Sequence, residues 1–98
     1  MPLYVLLGHD AADSAEQRAS SRSEHVERLK KLEQEGRLKI AGPCPIKHGE
    51  PAMSGSVIIA EFASLEEAQT WAQADPYLRD GVYTHTDVKP FIQALPAL

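Results

Sequence analysis

The spacing of hydrophobic residues in the first half of the chain predicts a strand, a helix and a second strand. Leu3–Leu7 is a continuous aliphatic and aromatic run that ends at Gly8, as in a strand buried on both faces. Ala15–Glu35 contains no Pro or Gly and carries apolar residues from Ala19 to Leu32 at helical spacing, and Gly36 follows as a C-cap, which predicts one long amphipathic helix. Capping residues place its start near Ser14, or a restart at a second capping box near Ser21. Arg37–Ala41 then alternates polar and apolar side chains, as a half-exposed strand does.

The second half repeats this order after a segment rich in proline. Gly42–Gly55 holds three prolines, which we expect to prevent regular strand pairing, so the segment is interpreted as a long loop. Val57–Phe62 is a strongly apolar strand. The capping box of Ser64 and Glu67 then opens a helix that runs from Leu65 through Ala72 and stops before a proline. Val82–Val88 alternates as a last strand, with Pro90 marking its end.

The resulting β-α-β-β-α-β order predicts an α+β protein with the ferredoxin-like fold. We expect residues 1–98 to form a single domain in which two helices cover one face of a four-stranded antiparallel sheet. Apolar residues would nevertheless populate both faces of that sheet, among them Val5, Leu7, Val57 and Ile59. A second subunit is therefore expected to cover the open face, which predicts a homodimer.

Charge and composition exclude several kinds of partner. The chain has 10 Lys+Arg against 14 Asp+Glu, and its basic cluster of Arg28, Lys30 and Lys31 is flanked by glutamates, so it predicts a solvated helix face and no nucleic-acid binding. Leu3–Leu7 is far shorter than the roughly 20 residues of a membrane-spanning helix and follows no basic residue, so we expect neither membrane insertion nor export. A single cysteine, Cys44, allows no intramolecular disulfide and favours a reducing cytoplasm.

His25 and Asp75 are two polar residues whose positions in the sequence call for a specific partner. His25 falls on or beside the inward stripe of the first helix, and an unpaired buried imidazole nitrogen costs about 1–3 kcal/mol. It is interpreted either as a core-edge histidine bound to a backbone carbonyl or as a catalytic base. Asp75 precedes Pro76 and is either the N-cap of a short turn or the carboxylate that orients His25. Arg22 lies three residues before His25 and is its neighbour on the helix surface.

The other candidates are less specific. Ser56 begins a strand and could offer its hydroxyl to a ligand. His9, His48 and His85 lie on three different elements, without a carboxylate or cysteine at ligand spacing, so no metal site is expected. No glycine-rich phosphate loop occurs, and no cofactor is expected.

Several short motifs, taken in order, resemble one family. They are Arg22-Ser23-Glu24-His25, Gly36-Arg37-Leu38, Ala41-Gly42-Pro43, Gly55-Ser56, Asp75-Pro76-Tyr77 and Gly81-Val82-Tyr83. Their order and spacing resemble the YciI-like (YCII-related) family from Tyr4 to about Phe91. The resemblance implies a ferredoxin-like fold that dimerises through its sheets into a dimeric α/β barrel, and an active site in which His25 meets Asp75. One branch of the family is similar to lyases that remove a halide from chlorinated hydroxyquinols, and more distant relatives isomerise muconolactones.

Two functional hypotheses of different class follow. In the first, a small aromatic or enolisable substrate lies between the sheet and Gly42–Gly55, and His25 moves a proton in a lyase or isomerase reaction. Asp75 holds the imidazole tautomer, Arg22 stabilises an anionic oxygen and Ser56 donates a hydrogen bond to it. In the second, the protein is a non-catalytic dimeric module that binds a small ligand, and the His–Asp pair is only a buried polar pair.

Overall fold

A computed structural model describes residues 1–97 and confirms the predicted β-α-β-β-α-β order and the α+β class. One element is additional, a single-turn helix between the second long helix and the last strand. The elements are β1 (Leu3–Asp10), α1 (Ala15–Gln34), β2 (Leu38–Pro45), β3 (Met53–Glu61), α2 (Leu65–Gln73), α3 (Pro76–Arg79) and β4 (Tyr83–Phe91). None of the helices within residues 1–97 is long and apolar enough to cross a membrane.

The four strands form one antiparallel sheet in the order β2-β3-β1-β4, as the ferredoxin-like fold requires. Side chains alternate between its faces, so every second residue of a strand points toward the helices. The core lies on that side and combines sheet residues with a few helical ones, namely Tyr4, Leu6, Ile58, Ala60, Phe62, Leu32, Ala68 and Ala72.

The expectation of a long loop over Gly42–Gly55 is wrong. β2 continues to Pro45 and β3 already begins at Met53, which leaves only residues 46–52 as the connection. The prolines are tolerated because β2 is an edge strand, where a residue without an N–H need not break a ladder on its outer side. β4 is the other edge strand and likewise runs past Pro90, which was expected to end it.

Helix capping follows the sequence in one place and departs from it in another. Ser64 caps α2 as predicted, because its hydroxyl accepts a hydrogen bond from the Glu67 N–H at 3.1 Å. Ser14 occupies the N-cap position of α1 without making a side-chain cap. Its hydroxyl instead donates to the Asp10 carboxylate at 3.3 Å, so it ties the helix to the end of β1.

The inward stripe of α1 is polar over its first half. Ser21 and His25 are buried ahead of Leu32, whereas Ala19, expected on this stripe, is exposed. Ser21 was interpreted as the start of a second capping box, but it lies inside the continuous helix and donates to Asp80 at 2.6 Å. Polar groups on a buried stripe need partners, and these partners come from the segment around α3.

The sheet face opposite the helices remains partly open. Val5, Leu7, Val57 and Ile59 are only partly buried there, and Ile40 on the edge strand is 64% exposed. β1 was predicted to be buried on both faces, but in the single chain it alternates between buried and partly buried positions. The chain by itself therefore leaves a contiguous apolar surface on this face.

Candidate active site

His25 and Asp75 are in direct contact, although they lie 50 residues apart in sequence. The imidazole Nδ1 is 2.9 Å from Oδ1 and 3.0 Å from Oδ2 of the carboxylate. Only 8% of the His25 side chain and 3% of the Asp75 side chain are exposed. Because a carboxylate only accepts, the contact assigns the proton to Nδ1 and leaves the lone pair on Nε2. The partner of His25 is thus a carboxylate and not the backbone carbonyl of the alternative interpretation.

Asp75 also serves as the N-cap of α3. Its Oδ1 accepts the backbone N–H of Tyr77 at 2.9 Å, and its own backbone is extended, as the residue before Pro76 should be. Asp75 therefore caps α3 and contacts His25 at the same time, and its role in orienting a catalytic base stays a prediction. The cap fixes the carboxylate at the start of a short helix, from which it reaches His25.

Two tyrosines enclose the imidazole of His25. The Tyr77 ring stacks on it with centroids 3.8 Å apart and planes at 7°, and the Tyr83 ring meets it edge-on at 6.4 Å. Burial raises the pKa of both phenols above the ordinary value for tyrosine, so both stay neutral around pH 7. No described residue hydrogen-bonds Nε2, which nevertheless is not sealed from solvent. Nε2 is therefore the free position of a ring held in mostly apolar surroundings.

Arg18 lies over the ring of Tyr77. Its guanidinium lies 4.8 Å from the centre of the Tyr77 ring and donates to both Asp10 oxygens, at 2.9 and 3.2 Å. It also donates to the Ser56 hydroxyl at 2.8 Å and to the Gly55 carbonyl at 3.0 Å. Burial opposes the charge, but hydrogen bonds to Asp10 and the charge of Asp10 outweigh it and raise the pKa of Arg18. Arg18 is thus a fixed cation that links α1 to the sheet.

A cleft opens beside Arg18 and Tyr77. Its volume of about 740 Å³ is within the size range of small-molecule sites. Its walls come from the start of α1, the end of β1, Tyr77 and the connection between β2 and β3. The lining residues are Asp10, Ala11, Ala12, Asp13, Ser14, Ala15, Arg18, Ala19, Arg22, Pro43, Ile46, Pro51, Ala52, Met53, Ser54 and Tyr77. The sequence had suggested a ligand between the sheet and the proline-rich segment, and part of that segment lines the cleft together with the start of α1.

Of the four predicted site residues, two are in contact, one lines the cleft and one is buried away from it. His25 and Asp75 are in contact with each other, and the ring of Tyr77, which lines the cleft, stacks on His25. Arg22 is exposed and lines the cleft. Ser56 is buried behind Arg18, whose hydrogen bond it accepts, and does not line the cleft. The hydroxyl thereby helps to hold Arg18 in place, and its expected role as a donor to a ligand stays a prediction.

Sequence reasoning missed Arg18, Asp10 and Tyr77. Arg18 lies seven residues before His25, two helical turns away, so both side chains share one face of α1. An arginine at that spacing from a buried histidine was a usable signal. Asp10 carried none, because its contact with Arg18 depends on how β1 is placed against α1.

Two of the histidines expected to lie apart, His9 and His85, are neighbours and have a carboxylate beside them. His9 on β1 and His85 on β4 are cross-strand partners, and Asp87 lies two residues further along β4. One ligand atom from each of the three side chains lies within 4.8 Å of the others. The expectation that no carboxylate accompanies these histidines is therefore wrong, because strand register supplies one.

The match to known proteins covers nearly the whole chain. Residues 2–92 match the family model described as the YCII-related domain. The chain belongs to this family. The resemblance drawn from its motifs is thereby confirmed. Protein YciI from Escherichia coli O6:H1 is 53% identical over 93 residues, which are 91% of this chain and 95% of that protein. An uncharacterized protein from Haemophilus influenzae is 41% identical over 92 residues, 90% of this chain and 94% of that protein.

Solved structures share the architecture of this YCII-related domain. One is 5-chloro-2-hydroxyhydroquinone dehydrochlorinase from Burkholderia phenoliruptrix AC1100 in complex with 2,5-dihydroxybenzoquinone, with a TM-score of 0.80 at 22% identity over 92% of this chain and 93% of that chain. Another is a protein from Agrobacterium tumefaciens, with a TM-score of 0.57 at 17% identity over 97% and 95% of the two chains. At these identities the likeness shows the fold, and the ferredoxin-like prediction is confirmed.

Replacing Asp75 with alanine is expected to lower the free energy of unfolding by about 2–4 kcal/mol. The variant loses an N-cap, worth about 1 kcal/mol, and leaves the buried Nδ1–H of His25 unpaired, which costs about 1–3 kcal/mol. Asp75→Asn keeps an oxygen that can accept one of the two bonds, so it should cost about half as much. Urea unfolding followed by circular dichroism measures both values.

Ser64→Ala is the matched control for Asp75→Ala, because Ser64 caps α2 and has no histidine partner. It should cost about 1 kcal/mol. The difference between the two alanine variants then isolates the contribution of the His25 contact. Equal losses in both would show that the contact with His25 adds nothing to stability.

Proposed function

We propose that this YCII-related domain is a small-molecule enzyme of the lyase or isomerase type that uses His25 and Asp75 for general acid–base chemistry. The observation that carries the proposal is the pairing of a buried carboxylate with Nδ1 of His25, which leaves Nε2 as the basic position. A histidine oriented in this way has the two features a general base needs, a defined tautomer and a partner that stabilises the imidazolium.

In this proposal Nε2 of His25 takes a proton from the substrate and later returns it. Asp75 stabilises the positive charge that forms on the imidazole, and its own cap bond from Tyr77 keeps it in place. The aromatic rings around the imidazole lower the local polarity, which strengthens the attraction between imidazolium and carboxylate. Arg22 donates no side-chain hydrogen bond to a described residue and lines the cleft, so it is the group available to hold an anionic oxygen.

The proposed substrate is a small hydroxylated ring or an enolisable compound. The cleft volume of about 740 Å³ suits such a molecule, and its walls combine alanine, proline and methionine side chains with two arginines. A ring could lie against the apolar wall while an ionised oxygen faces Arg22. The dehydrochlorinase of the same fold, solved with 2,5-dihydroxybenzoquinone, makes hydroxyquinol-like compounds the first class to test.

A non-catalytic ligand-binding module is the second candidate, and one observation favours it. Neither His25 nor Asp75 lines the cleft, because the Tyr77 ring lies between them and its interior. An enzyme must therefore shift the Tyr77 side chain or admit substrate along its edge, whereas a binding module needs no such step.

Proton exchange in D₂O distinguishes the two candidates. The purified protein is incubated with a panel of hydroxyquinols, their chlorinated derivatives and muconolactone-like enolisable compounds, and proton NMR follows the loss of carbon-bound protons. Halide release is recorded in parallel. An enzyme should catalyse exchange or conversion of at least one compound, and His25→Gln should abolish it. His48→Gln is the matched control, since His48 is exposed on the connection between β2 and β3. Binding of a panel compound without exchange would support the module instead.

We also propose that the domain is a homodimer in which two copies cover each other's open sheet face. The support is the partly buried apolar surface that includes Val5 and Ile59, which a soluble single chain would leave in contact with water. The purified protein should therefore have about twice the chain mass of 10.8 kDa in light scattering at micromolar concentration.

Val5→Lys should shift this mass to that of a single chain, because it places an ammonium group in the centre of the open face. Leu65→Lys is the control, since Leu65 is 37% exposed on α2, on the helical side of the sheet. A monomeric mass for the unmodified protein would contradict the proposed dimer.

A further inference from the structure

We infer that His9, His85 and Asp87 form a binding site for a borderline divalent transition-metal ion such as Zn²⁺. The three residues lie at one end of the open sheet face, on the adjacent strands β1 and β4. This site shares no residue with the His25–Asp75 pair or with the cleft, so it does not depend on the proposed enzymatic function.

The geometry places three suitable donors close together. His9 Nε2 is 2.7 Å from Asp87 Oδ2, and the rings of His9 and His85 stack with centroids 4.5 Å apart and planes at 13°. One ligand atom from each residue lies within 4.8 Å of the others. Donors on one tetrahedral Zn²⁺ lie about 3.4 Å apart, given bonds of about 2.0–2.1 Å. In the single chain the His9 and Asp87 side chains are 43% and 47% exposed, which leaves them room to rotate so that the 2.7 Å His9–Asp87 contact widens and the longer separations shorten toward this value.

A hydrogen-bonded chain orients His85 for this role. The Thr84 hydroxyl donates to the His9 carbonyl at 3.3 Å, so its oxygen is free to accept the Nδ1–H of His85 at 2.8 Å. This arrangement leaves the lone pair of His85 on Nε2. Metal-binding histidines usually donate their second ring N–H to such a partner, which fixes both the tautomer and the ring orientation.

The donor set selects the kind of ion. Two imidazoles and one carboxylate suit Zn²⁺ and its transition-metal neighbours, whereas Mg²⁺ and Ca²⁺ prefer oxygen ligands. A four-coordinate ion held by His9, His85 and Asp87 has one further position, available to water or to another donor. The contact of His9 with Asp87 and the stacking of His85 on His9 hold all three side chains together on the sheet.

Titration with ZnCl₂ in a non-chelating buffer tests the site by calorimetry, with MgCl₂ as the comparison ion. The unmodified protein should bind one Zn²⁺ per chain through this site and should not bind Mg²⁺ measurably. His85→Ala should weaken Zn²⁺ binding by at least about tenfold. His48→Ala is the matched control, because it removes an exposed histidine elsewhere and should leave the affinity unchanged.

Thr84→Val separates a built site from chance binding to surface histidines. It removes the hydroxyl that orients His85 and keeps all three ligands, so binding should weaken about tenfold while thermal unfolding confirms an intact fold. Equal Zn²⁺ affinity in the unmodified protein, His85→Ala and Thr84→Val would overturn the inference. So would loss of the bound Zn²⁺ in His48→Ala.

Discussion

Replacing His25 with glutamine is expected to lower kcat for a panel compound that the protein converts by about 10²- to 10⁴-fold, which corresponds to about 3–5 kcal/mol of transition-state stabilisation. Glutamine can still fill the space beneath Tyr77 and hydrogen-bond Asp75, but it cannot take up a proton at neutral pH. The loss should fall mainly on kcat and not on KM, because His25 does not line the cleft proposed to hold the ligand. Steady-state kinetics with the compound found by deuterium exchange measures both constants.

Two further variants test the proposed roles of Asp75 and Arg22. Asp75→Asn should give an intermediate loss, because an amide no longer stabilises the imidazolium although it keeps a hydrogen bond to Nδ1. Arg22→Gln should act mainly on KM if Arg22 holds an anionic oxygen of the bound ligand. A loss of less than about threefold in His25→Gln would remove His25 from the mechanism and leave the ligand-binding module as the better account.

Replacing Gly8 with alanine is expected to lower the free energy of unfolding by about 3 kcal/mol or more. The added methyl group would overlap the Tyr83 ring, and Tyr83 is only 4% exposed, so the ring has little room to move away. Tyr83 also meets the Tyr77 ring edge-on at 5.4 Å, which carries the disturbance to His25. Urea unfolding gives the stability, and near-UV circular dichroism reports whether the tyrosines remain packed.

Gly42→Ala is the matched control for Gly8→Ala. Both glycines lie in strands, but a methyl group at Gly42 would meet no atom within 4 Å. Its free energy of unfolding should stay within about 0.5 kcal/mol of the unmodified value. If Gly8→Ala changed stability as little as Gly42→Ala, close packing of Tyr83 on β1 would be disproved.

The order of helices and strands could be predicted because it depends on neighbours along the chain. Helical spacing over twenty residues and the capping box at Ser64 are local features, and both α1 and α2 begin and end close to where the sequence places them. The prolines of β2 misled the prediction for a different reason. Whether a proline interrupts a strand depends on whether that strand lies at the edge or inside the sheet, which is a property of the folded sheet.

The candidate site could likewise be predicted only in part from the sequence. The position of His25 on the inward stripe and of Asp75 before a proline identified two residues that needed partners, and the family resemblance linked them. Neither spacing nor composition showed that Asp75 caps α3 while it binds Nδ1, or that Tyr77 stands between His25 and the cleft.

By itself, the sequence determined the fold class and singled out His25 and Asp75 as residues that need partners, because periodicity and caps are written along the chain. The order of its motifs carried the resemblance that implied the family and the pairing of these two residues. Only the tertiary structure decided that Arg18 joins Asp10 to Ser56, and that His9 meets His85 and Asp87. Those contacts join residues that are distant in sequence. Strand register and the packing of α1 on the sheet bring them together, and both arise from long-range burial that no local pattern records.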